Sequence, residues 1–233
     1  MKAWRYRLKG WFSGFRLPVG AGPLRGYWLS AFSGTRFIRG TYDREQVESF
    51  LAYLKPGDVV YDIGAHVGYY SLAAARKLAG AGRVIAFEPL PLNLKLLRGH
   101  IASNRVANIE VIAACVADAS GEAYFDAGRG TGRGRLSQAG GDAVPVVALD
   151  ELVASGSIPP PNLIKMDVEG AELSALSGAR RLLAQHRPVI MLSVHSAQLK
   201  QDCSKLLLEL GYSLLPTAKT GQILAHYLPS SRR

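Results

Sequence analysis

Short apolar runs alternate along this chain with longer stretches whose apolar positions recur at helical spacing, and after Pro56-Gly57 the alternation becomes regular. DVVYDIG (58–64) predicts a buried strand ending in a glycine turn, and the Ala- and Leu-rich Tyr69–Ala79 predicts a helix. RVIAFEP (83–89) predicts a second strand stopped by Pro89, followed by a helix over 92–103 and a third strand over 109–116. A rigid turn at 157–161 leads into a fourth strand at 162–166. A helix over 171–184 with a break near Gly178, a fifth strand at 188–194 and a helix over 198–210 follow. Strands at 212–216 and 223–227 predict a closing β-hairpin around Lys219–Gly221. Between the third and fourth strands lies an insert, read as a strand (122–127), a glycine-rich loop (128–141), a short strand and a helix (143–153). Strands that are apolar throughout, alternating with helices, predict an α/β fold: a doubly wound, mostly parallel sheet covered on both faces.

Composition narrows the class. The chain has 233 residues, 48% hydrophobic and 20% charged, enough for one domain with its own core. Cys115 and Cys203 both sit in apolar patterns, which excludes a disulfide scaffold and a cysteine-rich zinc site. That cysteine usage points to a cytoplasmic location, with membrane-peripheral contact left open, and no run reaches the length of a membrane span. The charge is uneven: residues 1–44 carry +8 of the net +10, interleaved with Trp4, Tyr6, Trp11, Phe12 and Phe15. That pattern divides the chain into a basic aromatic extension (1–44), a catalytic domain (45–228) and a short tail (229–233). The extension is expected to pack on the domain or touch a membrane surface, and nucleic acid is the less favoured partner. Arg129, Arg133 and Arg135 in the glycine-rich loop could face an anionic substrate from a mobile wall. Nothing in the sequence speaks to the oligomeric state.

In an open α/β sheet ligands bind beyond the carboxyl ends of the strands. The first such loop runs Asp62-Ile63-Gly64-Ala65-His66-Val67-Gly68, where glycines allow a tight turn and backbone N–H groups are expected to face a ligand. The spacing is neither the dinucleotide G-x-G-x-x-G nor a phosphate loop, and the leading Asp62 suits a ligand with an ammonium group. Glu88, at the end of the second strand, is placed to accept hydrogen bonds from two ribose hydroxyls. Asp118 is a weaker candidate for an adenine amino group. At the end of the fourth strand, Asp167, Glu169 and Glu172 fall within six residues. Asp167 and Glu169 are expected to face the site, Glu172 to sit in the first helical turn where the dipole favours it, and Lys165 to point away from Asp167.

DVVYDIGAHVGYYSLAAA, RVIAFEPLPLNLKLL, IEVIAACVAD and above all LIKMDVEGAELSALSGARRLL resemble the FkbM-type S-adenosylmethionine-dependent methyltransferases, over about residues 40–215. GTYDREQVESFLAYLKPGDVV is similar to the family's lead-in. The resemblance implies a Rossmann-like class I methyltransferase fold with a seven-stranded sheet and one antiparallel strand, supplied by the closing hairpin. It implies S-adenosyl-L-methionine as cofactor and O-methylation of a small molecule, sugar or glycan. Asp62, Gly64, His66 and Gly68 would then hold the methionine part, Glu88 the ribose, and Asp118 would lie near the adenine. Asp167 and Glu169 would border the methyl-transfer site. His66 stands where the family commonly has Asn, and Ser193 where many relatives carry Glu.

Such an enzyme must align the acceptor with the methyl group and the sulfur, and a base would sharpen a hydroxyl acceptor. Asp167, Glu169 and His195 are the catalytic candidates, and no metal is expected, because their spacing matches no metal motif. Three other readings stand beside this one. A NAD-dependent oxidoreductase would keep Glu88 but lacks the pyrophosphate glycines. A nucleic-acid methyltransferase suits the basic arm, but DVEG stands where amine-methylating DNA enzymes carry an aromatic-proline motif. A non-catalytic nucleotide-binding domain would not need the carboxylates.

Overall fold

The computed structural model describes residues 14–126, 135–137, 142–217 and 221–227. The chain opens with an antiparallel pair, β1 (Arg16–Pro18) and β2 (Trp28–Ser30), then α1 (Thr35–Arg39) and α2 (Arg44–Ala52). Next come β3 (Val59–Ile63), α3 (Tyr69–Leu78), β4 (Arg83–Phe87), α4 (Pro91–Ser103) and β5 (Ile109–Ile112). The insert contains β6 (Cys115–Val116), β7 (Gly121–Asp126), β8 (Arg135–Ser137), β9 (Asp142–Val147) and α5 (Leu149–Ala154). The last part comprises β10 (Leu163–Met166), α6 (Glu172–Ser177), α7 (Arg180–His186), β11 (Val189–Ser193), α8 (Ala197–Glu209), β12 (Tyr212–Leu215) and β13 (Gln222–Tyr227).

The central sheet has seven strands in the order β12-β13-β11-β10-β3-β4-β5. β13 alone among them runs antiparallel to its neighbours. The order reverses between β3 and β10, and the crevice beyond their carboxyl ends is where such sheets bind ligands. Strand alternation sends Tyr61, Ile63, Ile164, Met166, Ile190 and Leu192 to one face, against α6, α7 and α8. Val60, Val84 and Leu163 face the other way, against α2, α3 and the segment before them, whose Val19, Leu24, Leu29 and Phe37 are buried in the same cluster.

Two elements differ from the sequence reading. The single strand expected over 109–116 is broken: residues 109–112 form the edge of the main sheet, and Cys115–Val116 leave it to pair with Val146–Val147. β5 has a partner on one side only, and β9 supplies the pairing that the rest of the run takes, in a second sheet ordered β6-β9-β7-β8. Within that sheet β8 begins inside the span expected to be an unbroken loop. Arg129 and Arg133 of that loop lie outside the described residues. The helix break near Gly178 falls between α6 and α7, where an added Cβ would stand 2.0 Å from Ala117 O, so only glycine permits the close packing.

Candidate active site

A cleft of about 740 Å³ opens at the carboxyl ends of β3, β4 and β10. That volume suits a small organic ligand. Gly64, His66, Glu88, Asp167, Glu169 and His195 all line it.

Gly64 ends β3 with φ +79, and a Cβ there would stand 2.0 Å from Asp167 O. The missing side chain therefore lets the first loop lie against the end of β10. Four of the loop's amides serve the protein itself. Gly64 N and Ala65 N donate to Phe87 O, Gly68 N to Ala65 O, and His66 N to Glu88 Oε2 at 2.8 Å. For these four N–H groups the expectation that they face a ligand is corrected: Phe87 O, Glu88 and, within the loop, Ala65 O take them. His66 has φ 53, a left-handed conformation that Asn and His adopt more readily than most residues.

Glu88 is held from three sides. Leu90 N and Asn93 Nδ2 donate to its Oε1 at 2.9 and 3.1 Å, and His66 N donates to Oε2. Burial pushes its pKa up, and the three donors oppose that shift without cancelling it. A carboxylate has about four acceptor positions, so capacity remains on the cleft side.

Asp62, Gly68 and Asp118 do not line the cleft. Asp62 is fully buried behind it, accepting from Ser71 Oγ at 2.6 Å, with Lys165 Nζ 3.3 Å from its other oxygen. Gly68 packs toward Leu97. Asp118 follows the short strand that left the main sheet and accepts from Ser174 Oγ at 2.6 Å.

The acidic segment is more connected than its spacing suggests. His195 Nε2 lies 3.4 Å from Asp167 Oδ1 and 3.5 Å from Glu169 Oε2. His195 Nδ1 lies 2.6 Å from Oε1 of Glu172, which is fully buried and also accepts from Gly170 N. Burial alone would lower the pKa of His195, but the Glu172 hydrogen bond and the charges of Glu169, Asp167 and Glu172 outweigh it and raise the value. Glu169 is itself left-handed, with φ 52, so strained backbone places its carboxylate. One ligand atom each from Asp167, Glu169 and His195 lie within 4.8 Å of one another, the one such trio among the described residues.

Four contributors were not picked out as site residues from sequence. Lys165 lines the cleft beside Asp167 and does not point away from it, because residues two apart in an extended strand share a face. Burial lowers its pKa, but Asp62 and Asp167 more than offset that, so it stays charged. Glu172 supports His195 from beneath. Phe37 and Tyr42, from the segment before β3, form an aromatic wall with ring centroids 4.1 Å apart. The i, i+2 spacing of Lys165 and Asp167 was a usable signal, and Glu172 stood in the acidic run; nothing local marked Phe37 and Tyr42.

A family model described as "Methyltransferase FkbM domain" matches residues 62–214. The hexuronic acid methyltransferase AglP of Haloferax volcanii is 29% identical over 177 residues, which is 75% of this chain and 70% of that protein. Among solved structures, the methyltransferase FkbM of Methylobacillus flagellatus KT aligns with a TM-score of 0.59 at 24% identity. That alignment covers 75% of this chain and 44% of the other, so the chain spans under half the length of that relative. A SAM-dependent O-methyltransferase of Thermotoga maritima aligns with a TM-score of 0.51 at 14% identity, covering 81% of this chain and 67% of the other. The two structural likenesses establish the fold.

Proposed function

The chain belongs to the FkbM family of S-adenosylmethionine-dependent methyltransferases, and on that premise we propose that it methylates a hydroxyl of a sugar, glycan or other small molecule. The observation that carries the reading is one cleft holding both halves of the chemistry: the buried, three-donor Glu88, and the partly exposed Asp167, Glu169 and His195. The residues fit the cofactor. Glu88 retains acceptor capacity for ribose hydroxyls, and Ile63, Phe87 and Val116 give the cleft apolar surface for a base. When bound, S-adenosylmethionine supplies a methyl group on a sulfonium that departs as a neutral thioether.

The chain's own residues do the remaining work. Glu88 orients the ribose, the apolar walls exclude water, and Lys165 keeps the buried Asp62 neutralised under the turn. Asp167, Glu169 and His195 face the acceptor, where they orient its hydroxyl and favour the loss of its proton. A sugar acceptor is favoured by the relative that acts on hexuronic acid and by the aromatic wall of Phe37 and Tyr42. For the basic arm we keep both readings, packing on the domain and contact with a membrane surface. Residues 1–13 lie outside the described residues, while Phe15, Trp28 and Phe32 in the described part of the arm are exposed aromatics. Among the described residues no helix is long and apolar enough to cross a membrane.

Calorimetry with S-adenosylhomocysteine is the direct test. Glu88→Gln should weaken binding about 10- to 100-fold, the cost of about 1.5–3 kcal/mol for a hydrogen bond to a charged group. Tighter binding of NAD than of S-adenosylhomocysteine would overturn the reading in favour of an oxidoreductase.

A further inference from the structure

The trio at the end of β10 has a geometry that a shared proton leaves unsatisfied. His195 Nε2 stands 3.4 Å from one carboxylate oxygen and 3.5 Å from another. A charge-assisted N–H···O bond closes to about 2.7–2.9 Å, so neither contact is one. Two atoms ligating one ion at about 2.1 Å stand about 3.0 Å apart at a right angle and about 3.4 Å apart at the tetrahedral angle. The observed gaps match edges of such a coordination polyhedron. One ligand atom from each of the three lies within 4.8 Å of the others, and Asp167 and Glu169 are partly exposed, which leaves their side chains room to close on one ion.

The opposite side of the imidazole carries a second observation. Glu172 is fully buried, its Oε1 lies 2.6 Å from Nδ1, and its Oε2 has no hydrogen-bond partner among the described residues. A buried carboxylate aimed at the trio from behind keeps a proton on Nδ1 and turns the lone pair of Nε2 toward Asp167 and Glu169. Histidines that ligate metals are held in this manner, with the other ring nitrogen donating to a carboxylate. Three carboxylates around one imidazole also give the cluster a negative charge that a cation would offset.

We propose that Asp167 Oδ1, Glu169 Oε2 and His195 Nε2 bind a divalent transition-metal ion, with Glu172 as the residue that positions His195. One imidazole with two carboxylates suits Mn²⁺, Fe²⁺ or Zn²⁺ better than the all-oxygen preferences of Ca²⁺ or Mg²⁺. The purpose of the ion rests on the methyl-transfer reading. It would hold the acceptor's hydroxyl oxygen, lower the pKa of that hydroxyl and let its proton pass to solvent before the oxygen forms its bond to the methyl carbon. This departs from the expectation of a metal-free site, which rested on sequence spacing alone.

The test uses the full chain and the metal alone. Protein stripped with EDTA and exchanged into chelator-free buffer is titrated with MnCl₂, and free Mn²⁺ is read by electron paramagnetic resonance. One ion per chain is expected. His195→Gln and Glu169→Gln should each bind at least about tenfold more weakly, and Glu172→Gln about 10- to 100-fold more weakly. Binding of S-adenosylhomocysteine, measured on each variant, reports that the fold is intact. If Glu172→Gln does not fold, the other two variants decide. Wild-type protein that binds S-adenosylhomocysteine but neither Mn²⁺ nor Zn²⁺ at millimolar concentration would overturn the proposal and leave the methyltransferase reading standing. Equal Mn²⁺ binding by wild type and His195→Gln would overturn it too. Mn²⁺ bound through these residues by a chain with no affinity for S-adenosylhomocysteine would support the ion site and sink the methyl-transfer reading.

Discussion

Lys165 and Asp62 meet beneath the first loop, 3.3 Å apart, with the ammonium also 4.9 Å from the centre of the Tyr70 ring and bonded to Gly64 O. Asp62 is fully buried, so its charge depends on that cation and on Ser71. Lys165→Met keeps much of the volume and removes the charge. It should destabilise the protein by about 3–5 kcal/mol, the usual cost of leaving a buried charge without its partner. Urea unfolding of the variant checks this; a loss under about 1 kcal/mol would mean that Ser71 alone satisfies Asp62. Sequence spacing could place Lys165 near Asp167, but it could not pair it with Asp62. That contact forms because β10 lies beside β3 with Lys165 in register with Asp62.

At the scale of elements, α4 ties the segment before the domain to the cofactor loop. His100 is buried; its Nε2 accepts from Ser30 N at 2.9 Å, and its Nδ1 donates to Val67 O at 2.8 Å. One turn later, Asn104 accepts from Trp28 N and donates to Trp28 O. Burial lowers the pKa of His100 to about 4, with the Val67 bond opposing and the charge of Arg16 assisting. The folded state therefore refuses a proton that the unfolded chain accepts below about pH 6.5. The stability held by the neutral ring is fully present above that value and is lost as pH falls toward the folded pKa. Between pH 7 and pH 5 this amounts to about 2 kcal/mol, or about 4–8 °C in melting temperature. His100→Gln should be less stable at pH 7 yet show a shallower decline by about that amount. Identical pH slopes in melting curves of the two proteins would refute the assignment. The sequence showed α4 as a helix, but not that β2, far away along the chain, would cap this histidine.

For the whole molecule, the segment before the family match is part of the core. Val19, Leu24, Leu29 and Phe37 are buried against Val60, Leu72 and Val84. Each fully buried side chain contributes about 1.5–3 kcal/mol, so removing four of them takes a large share of a typical stability of about 5–15 kcal/mol. Deleting residues 1–42 should abolish cooperative unfolding. Leu24→Ala in the intact chain should cost about 2–5 kcal/mol. Circular dichroism melts check both, and a truncated chain that melts as sharply as the full chain would show that residues 43–233 fold by themselves.

The sequence alone determined the order of strands and helices, the antiparallel closing strand and the loops that carry Gly64, Glu88, Asp167 and His195. Those features follow from apolar periodicity and from the positions of glycine and proline, which are local. It did not determine where the third strand would break, because that choice depended on a partner strand in the insert. It did not show that Phe37 and Tyr42 reach the cleft, that Asp62 and Asp118 stand behind its lining residues Lys165 and Ser174, or that Glu172 stands under His195. Each of those is a contact between residues far apart in sequence. Such contacts exist only once β10 and β11 lie side by side and the first segment has packed over α3, because side-chain direction is set by backbone register and neighbouring surfaces rather than by residue type.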